Sequence, residues 1–578
     1  MRRLSQCFSG LAAPVLFSGG LMACTAALPG AVPGSESDPA EADGDASEGG
    51  ADAADGVPDE APDPVPPTST PSTPGDGPYP TPDLPVPPVS ALETCEPVVT
   101  MSEQVMSHYG SARVMFVPGT ALAVSQADYD AGVHSTVDGT MQGQIGSFLD
   151  LSFEHDFVLR RAYLPVYGPE VLELARLSKI EAGDDEAGRL GIATWPIQES
   201  DDGWLSVVDG RLHSDGDRIV LYACHSRNDG TSDGSIGILS TGEGLPVIAE
   251  YPTGAGCDMG TWPRTANLHV THDRVIVVAG PVVSSVALSG GVTSQLELPT
   301  DVQVVGMDVA AAGDRIALTL STGVLEVRDA TTLSLLQSLS SGIGLATANP
   351  NTYGPSLESP VAFSPDGGLI AHLDAGFEPG VLWSLPGSND GAIVIRRLAD
   401  LAIVQSVALP QWVSPWAPPE SSDVGHPAVS GLAFMPDGTG VLVITDMATA
   451  VIRCASSGTL VSPGKLEIAA DVTSATNLHG QVIVSAKVTE GGQLSALPLL
   501  TTLRVDSVNA DGSTTQVSGS FDATFGSVVA AHIWGVPVTP KRTTQLLRAT
   551  VTVTDGLRKA STEIDVEVPV ANPTLDGN

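Results

Sequence analysis

Residues 307–329 read MDVAAAGDRIALTLSTGVLEVRD, and this stretch decides the fold class. Val309 leads into a tight turn at Gly313-Asp314. Ile316, Leu318 and Leu320 then alternate with smaller residues, and beyond the Ser321-Thr322-Gly323 turn Leu325 and Val327 alternate again. A period of two puts successive side chains on opposite faces of a sheet. Gly and Asp at the breaks supply the backbone angles that hairpins need. LSLLQSL at 333–339 adds a fourth strand, so the unit is a four-stranded antiparallel meander. A single meander cannot bury both faces, and such units are expected in closed arrays.

Related units lie on either side. VAFSPDG (361–367) runs into LIAHL (369–373), and LAFMPDG (432–438) runs into VLVI (441–444); weaker copies start near Val114, His213 and Leu268. Strand, Pro-Asp-Gly turn, strand is similar to the first hairpin of a blade in Trp-Asp-repeat and Tyr-Val-Thr-Asn-type β-propellers. Val327-Arg328-Asp329 stands where the former family has its Trp-Asp pair, without the Trp. The resemblance spans about residues 96–460 and implies an all-β propeller. Six first hairpins are visible, and another is expected around Ala187–Trp195. Seven blades are therefore expected, with six or eight as alternatives.

In a blade with strands a to d, the a–b and c–d turns lie on one face of the disc and the other connections on the opposite face. Here the a–b turns are tight. The long connections, 228–235, 252–266, 342–358, 374–389 and 411–427, fall at b–c and d–a positions and are expected on one face. They carry Trp262, Tyr353, Trp383, Trp412 and Trp416 with Asp229, Asp233, Asp258, Asp374 and Glu378. Aromatic and acidic side chains on long loops over a rigid scaffold make a binding surface for a protein or glycan partner. The plainer alternative is that each connection packs its own aromatic residue locally.

The amino terminus sets the address. Arg2 and Arg3 precede an apolar run from Phe8 to Met22, too short for a permanent membrane span and shaped like an export signal. Leu21-Met22-Ala23-Cys24 resembles the lipobox of bacterial lipoproteins, which implies cleavage before Cys24 and its acylation. Met22 departs from the usual pattern. Thr25, where an Asp is absent, implies by resemblance to Gram-negative lipoproteins the outer membrane or cell surface, given a Gram-negative source. Ordinary secretion, with Cys24 removed in the leader, is the alternative. Residues 25–94 are acidic, then Pro-rich, with no Lys or Arg and almost no large apolar side chains. Such a segment cannot offset its own ordering entropy and reads as a tether.

Cys95, Cys224, Cys257 and Cys454 remain, an even number for an exported chain. Ring closure by an N-terminal strand would bring Val98–Met101 beside Cys454. The expected disulfides are therefore Cys95–Cys454 and Cys224–Cys257, with four free thiols as the alternative.

Beyond Pro463 the strands lengthen. ATVTVTDG (549–556) followed by IDVEV (564–568) looks like the last hairpin of an immunoglobulin-like or cadherin-like sandwich. The expected domains are thus the leader 1–24, the tether 25–94, a propeller 95–462, a sandwich 463–570 and a tail 571–578. Trp534 is a candidate core residue of the sandwich, and a spacer or adhesive role is its plain reading.

Several chemistries are excluded. A net charge of −41 without Lys/Arg clusters argues against nucleic acid. Gly230-Thr-Ser232-Asp-Gly234 has the letters of a nucleophile elbow, but the flanking Asn, Asp and Gly suit a hairpin loop, and no helix follows. His269 and His272 lie three apart in a strand and cannot share a metal; His213, His372 and His426 read as satisfied single imidazoles. There is no zinc spacing and no phosphate-binding loop. Asp43, Asp45 and Ser47 lack the Gly and Glu of a calcium loop. Asp184–Glu186 and Asp201–Asp202 read as solvated turns with incidental calcium as the alternative. No cofactor and no metal are expected. The leading expectation is a monomeric, non-enzymatic, lipid-anchored binding protein. The runner-up is a lactonase-like or quinoprotein-like propeller enzyme, although the first strands offer mainly aliphatic residues for such a site. A structural surface-layer component is a third possibility.

Overall fold

The computed structural model describes residues 92, 96–103, 113–126, 130–146, 148–163, 170–177, 189–193, 203–227, 229, 231–253, 268–339, 346–347, 357–358, 360–374, 392–408, 429–445, 448–454, 465–471, 481–490, 492–495, 497–517, 523–526, 528–532 and 544–569. The chain divides into Met1–Thr70 and Pro71–Asn578, and every described residue belongs to the second unit. The leader, Cys24, most of the tether, Trp534 and the tail 571–578 lie outside the described residues.

The protein is all-β. Among the described residues between 97 and 454 there are seven four-stranded antiparallel sheets, six of them meanders and the seventh completed by the N-terminal strand. The first is Arg113–Phe116, Leu122–Gln126, Asp130–Ser135 and Met141–Gly146. The second runs from Asp150–Ser152 to Arg189–Ala193, the third from Gly203–Leu212 to Val247–Pro252, and the fourth from Leu268–Val270 to Gly291–Glu297. The fifth is the unit read first in the sequence: Val304–Val309, Arg315–Leu320, Leu325–Asp329 and Leu335–Leu339. The sixth runs from Val361–Phe363 to Ile403–Ala408. The seventh takes only three strands from Val429–Cys454; its fourth is the N-terminal strand Pro97–Glu103, paired with Ala448–Cys454 so that Pro97 faces Cys454. Around Ala187–Trp195 the structure differs from expectation. The segment Arg189–Ala193 is the last strand of the second sheet, whose first hairpin lies earlier, at 153–156.

Side-chain alternation explains how these sheets pack. Within Arg315–Leu320, Ile316, Leu318 and Leu320 join a core shared with the fourth sheet, while Ala317 faces the sixth. Within Arg218–Arg227, Ile219 and Leu221 pack on the second sheet, and Val220, Tyr222 and Cys224 on the fourth. Inner strands buried on both faces are therefore almost wholly apolar, as in Arg274–Ala279. The same sharing joins first to second, sixth to seventh and seventh to first sheets, so the packing runs in a closed circle.

The two ends of this circle differ. Hairpins between first and second strands are short and lie side by side: His155 Nε2 is 3.0 Å from Ser214 O, and His213 Nε2 is 3.0 Å from His272 O. The Pro-Asp-Gly turns work as their chemistry requires. Asp366 Oδ1 accepts from Ser364 Oγ (2.6 Å) and Gly368 N (3.0 Å), and Gly367 takes a φ of 69° that side-chain-bearing residues avoid.

The C-terminal residues form two antiparallel sheets around one apolar core that includes Val484, Val505, Val529, Leu547 and Val551. This pair is docked on the circle rather than separate from it. Phe525 meets Phe153 edge to face at 5.2 Å, Ala121 N donates to Asp555 O (2.8 Å), and a Cβ on Gly143 would sit 2.8 Å from that of Ala523. Gly556, at φ 87°, has Ala121 O where a Cβ would be, so no other residue fits there. These contacts use the hairpins 117–121 and 153–156, on the short-turn end, and the start of the first sheet's fourth strand. The N-terminal strand enters at that end too, since Pro97 lies beside Cys454 at the close of the third strand. Just before it, Leu92 is buried in the core of the sixth and seventh sheets, and Gln405 Nε2 donates to its carbonyl (3.1 Å).

Candidate functional site

At the centre of the circle the first strands of six sheets enclose a cavity of about 400 Å³. The first residue of each initial hairpin closes it with a backbone bond to the second strand: His213, Thr271 and Ala310 donate to Arg218, Arg274 and Arg315. Two residues earlier, at equivalent positions of the third, fourth and fifth sheets, stand Arg211, His269 and Asp308, and all three line the cavity. In the sixth and seventh sheets that position is Ala362 and Ala433. Most of the remaining lining is apolar, including Val305, Phe363 and Phe434, with Arg113 at the start of the first sheet.

Each cation is held from behind. Arg113 Nη1 lies 2.5 Å from Asp150 Oδ1, and Asp150 also accepts from Leu151 N (2.9 Å) and Leu212 N (2.8 Å). Arg211 Nη1 contacts Asp209 Oδ1 and donates to Gly210 O (2.8 Å). The other guanidinium nitrogens of both arginines have no partner among the described residues. Burial, and next the neighbouring Arg211 charge, pull the Arg113 value down, against the fields of Asp150 and Asp209.

His269 and Asp308 form a contrasting pair, Nδ1 to Oδ1 3.9 Å. Burial, helped by Arg211 and Arg113, holds His269 down at about 3, so its ring is neutral near pH 7. Burial pushes Asp308 up to about 7, although amide bonds from Phe363 and Val309 favour its charged form; the Phe363 bond is 2.7 Å. The exposed part of Asp308, 27% of its side chain, faces the cavity. A carboxyl that titrates near neutrality beside a neutral imidazole can donate or accept a hydrogen bond as pH changes.

The sequence pattern singles out His269 only as unable to share a metal with His272, and does not single out Arg113, Arg211 or Asp308. The first strands look aliphatic in it until they are compared position by position. Aligning RLHSDG (211–216), HVTHD (269–273) and DVAAAGD (308–314) on their hairpins would have put Arg, His and Asp in one column.

The residues expected on the long connections fare differently. Trp262, Tyr353, Trp383, Trp412, Trp416, Asp258 and Glu378 lie outside the described residues, as do His426, Asp184–Glu186 and Asp201–Asp202. Asp229 and Asp233 share one hairpin. Asp229 accepts from Thr231 N (2.8 Å) and Oγ1 (2.6 Å), which keeps it below the usual carboxylate range, and Asp233 pairs with Arg227. Asp374 ends the second strand of the sixth sheet, at the same end of the circle. Cys224 and Cys454 are each disulfide-bonded; the expected partners Cys257 and Cys95 lie outside the described residues.

Other constellations are structural. Ser232 opens a strand with no helix after it. Ser125 Oγ lies 2.7 Å from His134 Nε2, with Thr449 on the other ring nitrogen at 3.1 Å, but Ser125 and His134 are fully buried and out of reach of a substrate. His372 accepts from Arg396 Nε (3.0 Å) on Nε2, and its Nδ1 donates to Leu373 O (3.0 Å). His269 belongs to a strand and His272 to the turn after it. Among the described residues no group of three or more His, Cys, Asp or Glu could hold a metal ion. No helix among them is long and apolar enough to cross a membrane.

No protein-family model matches the chain, and no curated protein matches it.

Proposed function

We propose that residues 95–462 are a seven-bladed β-propeller closed by its N-terminal strand, and that residues 463–570 are an immunoglobulin-like sandwich. Six meanders and a seventh sheet completed by the N-terminal strand, packed in a closed circle, support the first reading; two antiparallel sheets around a common core support the second. On this scaffold the protein is a non-enzymatic binding module of the cell envelope, anchored through lipid on Cys24. It meets a protein or glycan partner at the propeller's long-connection end and acts as a monomer.

One observation carries this reading. The chain's entry at Pro97 and the docked C-terminal sheets both occupy the short-turn end. The long c–d connection of the second sheet, after Arg176, leaves at the short-turn end too, where Leu177 N donates to Asp156 O (2.9 Å). The opposite end, where the b–c and d–a connections leave the sheets, is therefore clear of the rest of the chain's described residues. A tether attached behind the disc lets that end face outward.

Two measurements test it. Metabolic labelling with a fatty-acid analogue should mark the wild type and not Cys24→Ala. A partner retained from envelope extracts by the immobilised head should be lost with Trp412→Ala or Trp416→Ala and kept with Asp314→Ala, which lies at the short-turn end. Equal recovery by all three would remove the proposed face. A propeller hydrolase or oxidoreductase is the second reading, favoured by the Arg113, Arg211, His269 and Asp308 cluster at the axis.

A further inference from the structure

We propose that the axial cavity is a binding site for a small organic carboxylate, whose charged end is clamped by Arg113 and Arg211 and whose adjacent hydroxyl or carbonyl group meets His269 and Asp308. The site is built from the first strands, from their opening residues Arg113, Val304 and Val361 to Arg211 and Asp308 near the hairpins, and does not depend on a partner at the long-connection end.

The donor set selects the charged group. Both guanidiniums spend one nitrogen on a fixed carboxylate and leave the rest of the planar fork without a partner in a cavity where few groups compete. A carboxylate matches that fork with two parallel hydrogen bonds. Asp150 and Asp209 are themselves held by backbone amides, so the cations are positioned before any ligand arrives.

Charge and shape narrow the class. Arg113 and Arg211 are balanced by Asp150 and Asp209, which leaves Asp308 as the one further titratable acid facing the cavity beside His269. A monoanion is tolerated there, whereas a phosphate dianion would meet uncompensated negative charge. The Val, Phe and Met lining suits an apolar body, and about 400 Å³ lies in the range that holds a small molecule. Carboxylate binding favours the protonated form of Asp308, which can then donate to the ligand's neighbouring oxygen. Asp308 is faced by His269 from the fourth sheet and by the amides of Val309 and, from the sixth sheet, Phe363; Arg211 and Arg113 act on His269 in turn, and Asp150 and Asp209 on Arg113.

Calorimetric titration of the full chain with L-lactate, mandelate and 3-phenylpropionate tests the site, with methyl mandelate and inorganic phosphate as charge controls. At least one carboxylate should bind, and its methyl ester and phosphate should not. Arg113→Gln should weaken binding on the order of tenfold or more. Ala433→Phe, which fills the cavity from an apolar wall, should abolish it, with folding confirmed by circular dichroism. Arg315→Gln, on an exposed hairpin, should leave it unchanged. Affinity should rise about tenfold from pH 8 to pH 6, and Asp308→Asn should flatten that dependence. Absence of binding by all three carboxylates at about 10 mM, well above ordinary small-ligand affinities, overturns the proposal. So does binding that survives both Arg113→Gln and Ala433→Phe.

Discussion

Replacing Asp308 by Asn should stabilise the protein, and more so as the pH rises. Asp308 sits on the first strand of the fifth sheet with its carboxyl toward the cavity, and burial lifts its folded value to about 7 from an ordinary 3.8. A carboxyl raised in this way binds its proton more tightly in the folded state than in the unfolded one. Folding is therefore favoured while the group is protonated, and stability is lost as pH climbs from near 3.8 towards 7. Three units correspond to about 4 kcal/mol of unfavourable free energy above pH 7. Between pH 5 and pH 8 the window up to 7 spans two units, or about 2.7 kcal/mol. Asn keeps the shape and an oxygen to accept from the Phe363 amide, but carries no charge to desolvate. Denaturant titrations of wild type and Asp308→Asn at both pH values measure the difference directly. The variant's advantage should grow by about 2–3 kcal/mol on going from pH 5 to pH 8. An advantage that is the same at both pH values, or a loss of stability at pH 8, would refute the burial argument.

Other perturbations separate other parts of the structure. His269 is lowered to about 3, so its neutral form supports folding above its unfolded value near 6.5, and that support is lost as pH falls; His269→Gln should remove up to roughly 4–5 kcal/mol of acid sensitivity between pH 6.5 and 3, read from unfolding midpoints. The Tyr222 hydroxyl is buried without a hydrogen-bond partner among the described residues, and burial raises its value; Tyr222→Phe should stabilise by about 1 kcal/mol or more, and a loss would mean that the hydroxyl is satisfied in solution. Phe525→Ala removes a ring buried against Phe153 and should cost about 3–5 kcal/mol while exposing the C-terminal sheets to limited proteolysis ahead of the seven. Peptide mapping without reduction should recover Cys95 linked to Cys454 and Cys224 linked to Cys257; a Cys95–Cys224 peptide would contradict the strand register that puts Pro97 opposite Cys454.

What was legible in the sequence divides along a physical line. Local signals carried the strands of the fifth, sixth and seventh sheets, because Ile316, Leu318 and Leu320 alternate and Pro-Asp-Gly turns mark where chains reverse. The second sheet was harder to see. Its first strand is only Asp150–Ser152, and its hairpin 153–156 has no Pro or Gly to mark it; Asp156 itself takes the positive φ of 58°. Docking of the C-terminal sheets was illegible, since it rests on Gly143 and Gly556 being small where another chain segment passes, which no periodicity encodes. The cavity was overlooked for a different reason. Arg211, His269 and Asp308 are nearly a hundred residues apart end to end, and only the circular arrangement makes them neighbours.

The cavity and the long-connection end are then two questions with separate answers. A circle of sheets packs well around valine and alanine, as the sixth and seventh sheets do with Ala362 and Ala433. Placing an acid and an imidazole at the matching positions of the fourth and fifth sheets shifts both groups far from their ordinary values, each in the direction that disfavours its charge. That polarity costs stability and contributes nothing to closing the circle, which is the pattern expected of a site kept for chemistry or recognition. The proposed partner face makes no such demand on its described residues, because Asp229 is exposed in a hairpin and Asp233 and Asp374 stand at the ends of strands. Phe525→Ala tests the independence of the two. Loosening the sheets at the short-turn end should leave both carboxylate titration and partner retention intact, whereas loss of the former alone would mean that the docked sheets help shape the axis.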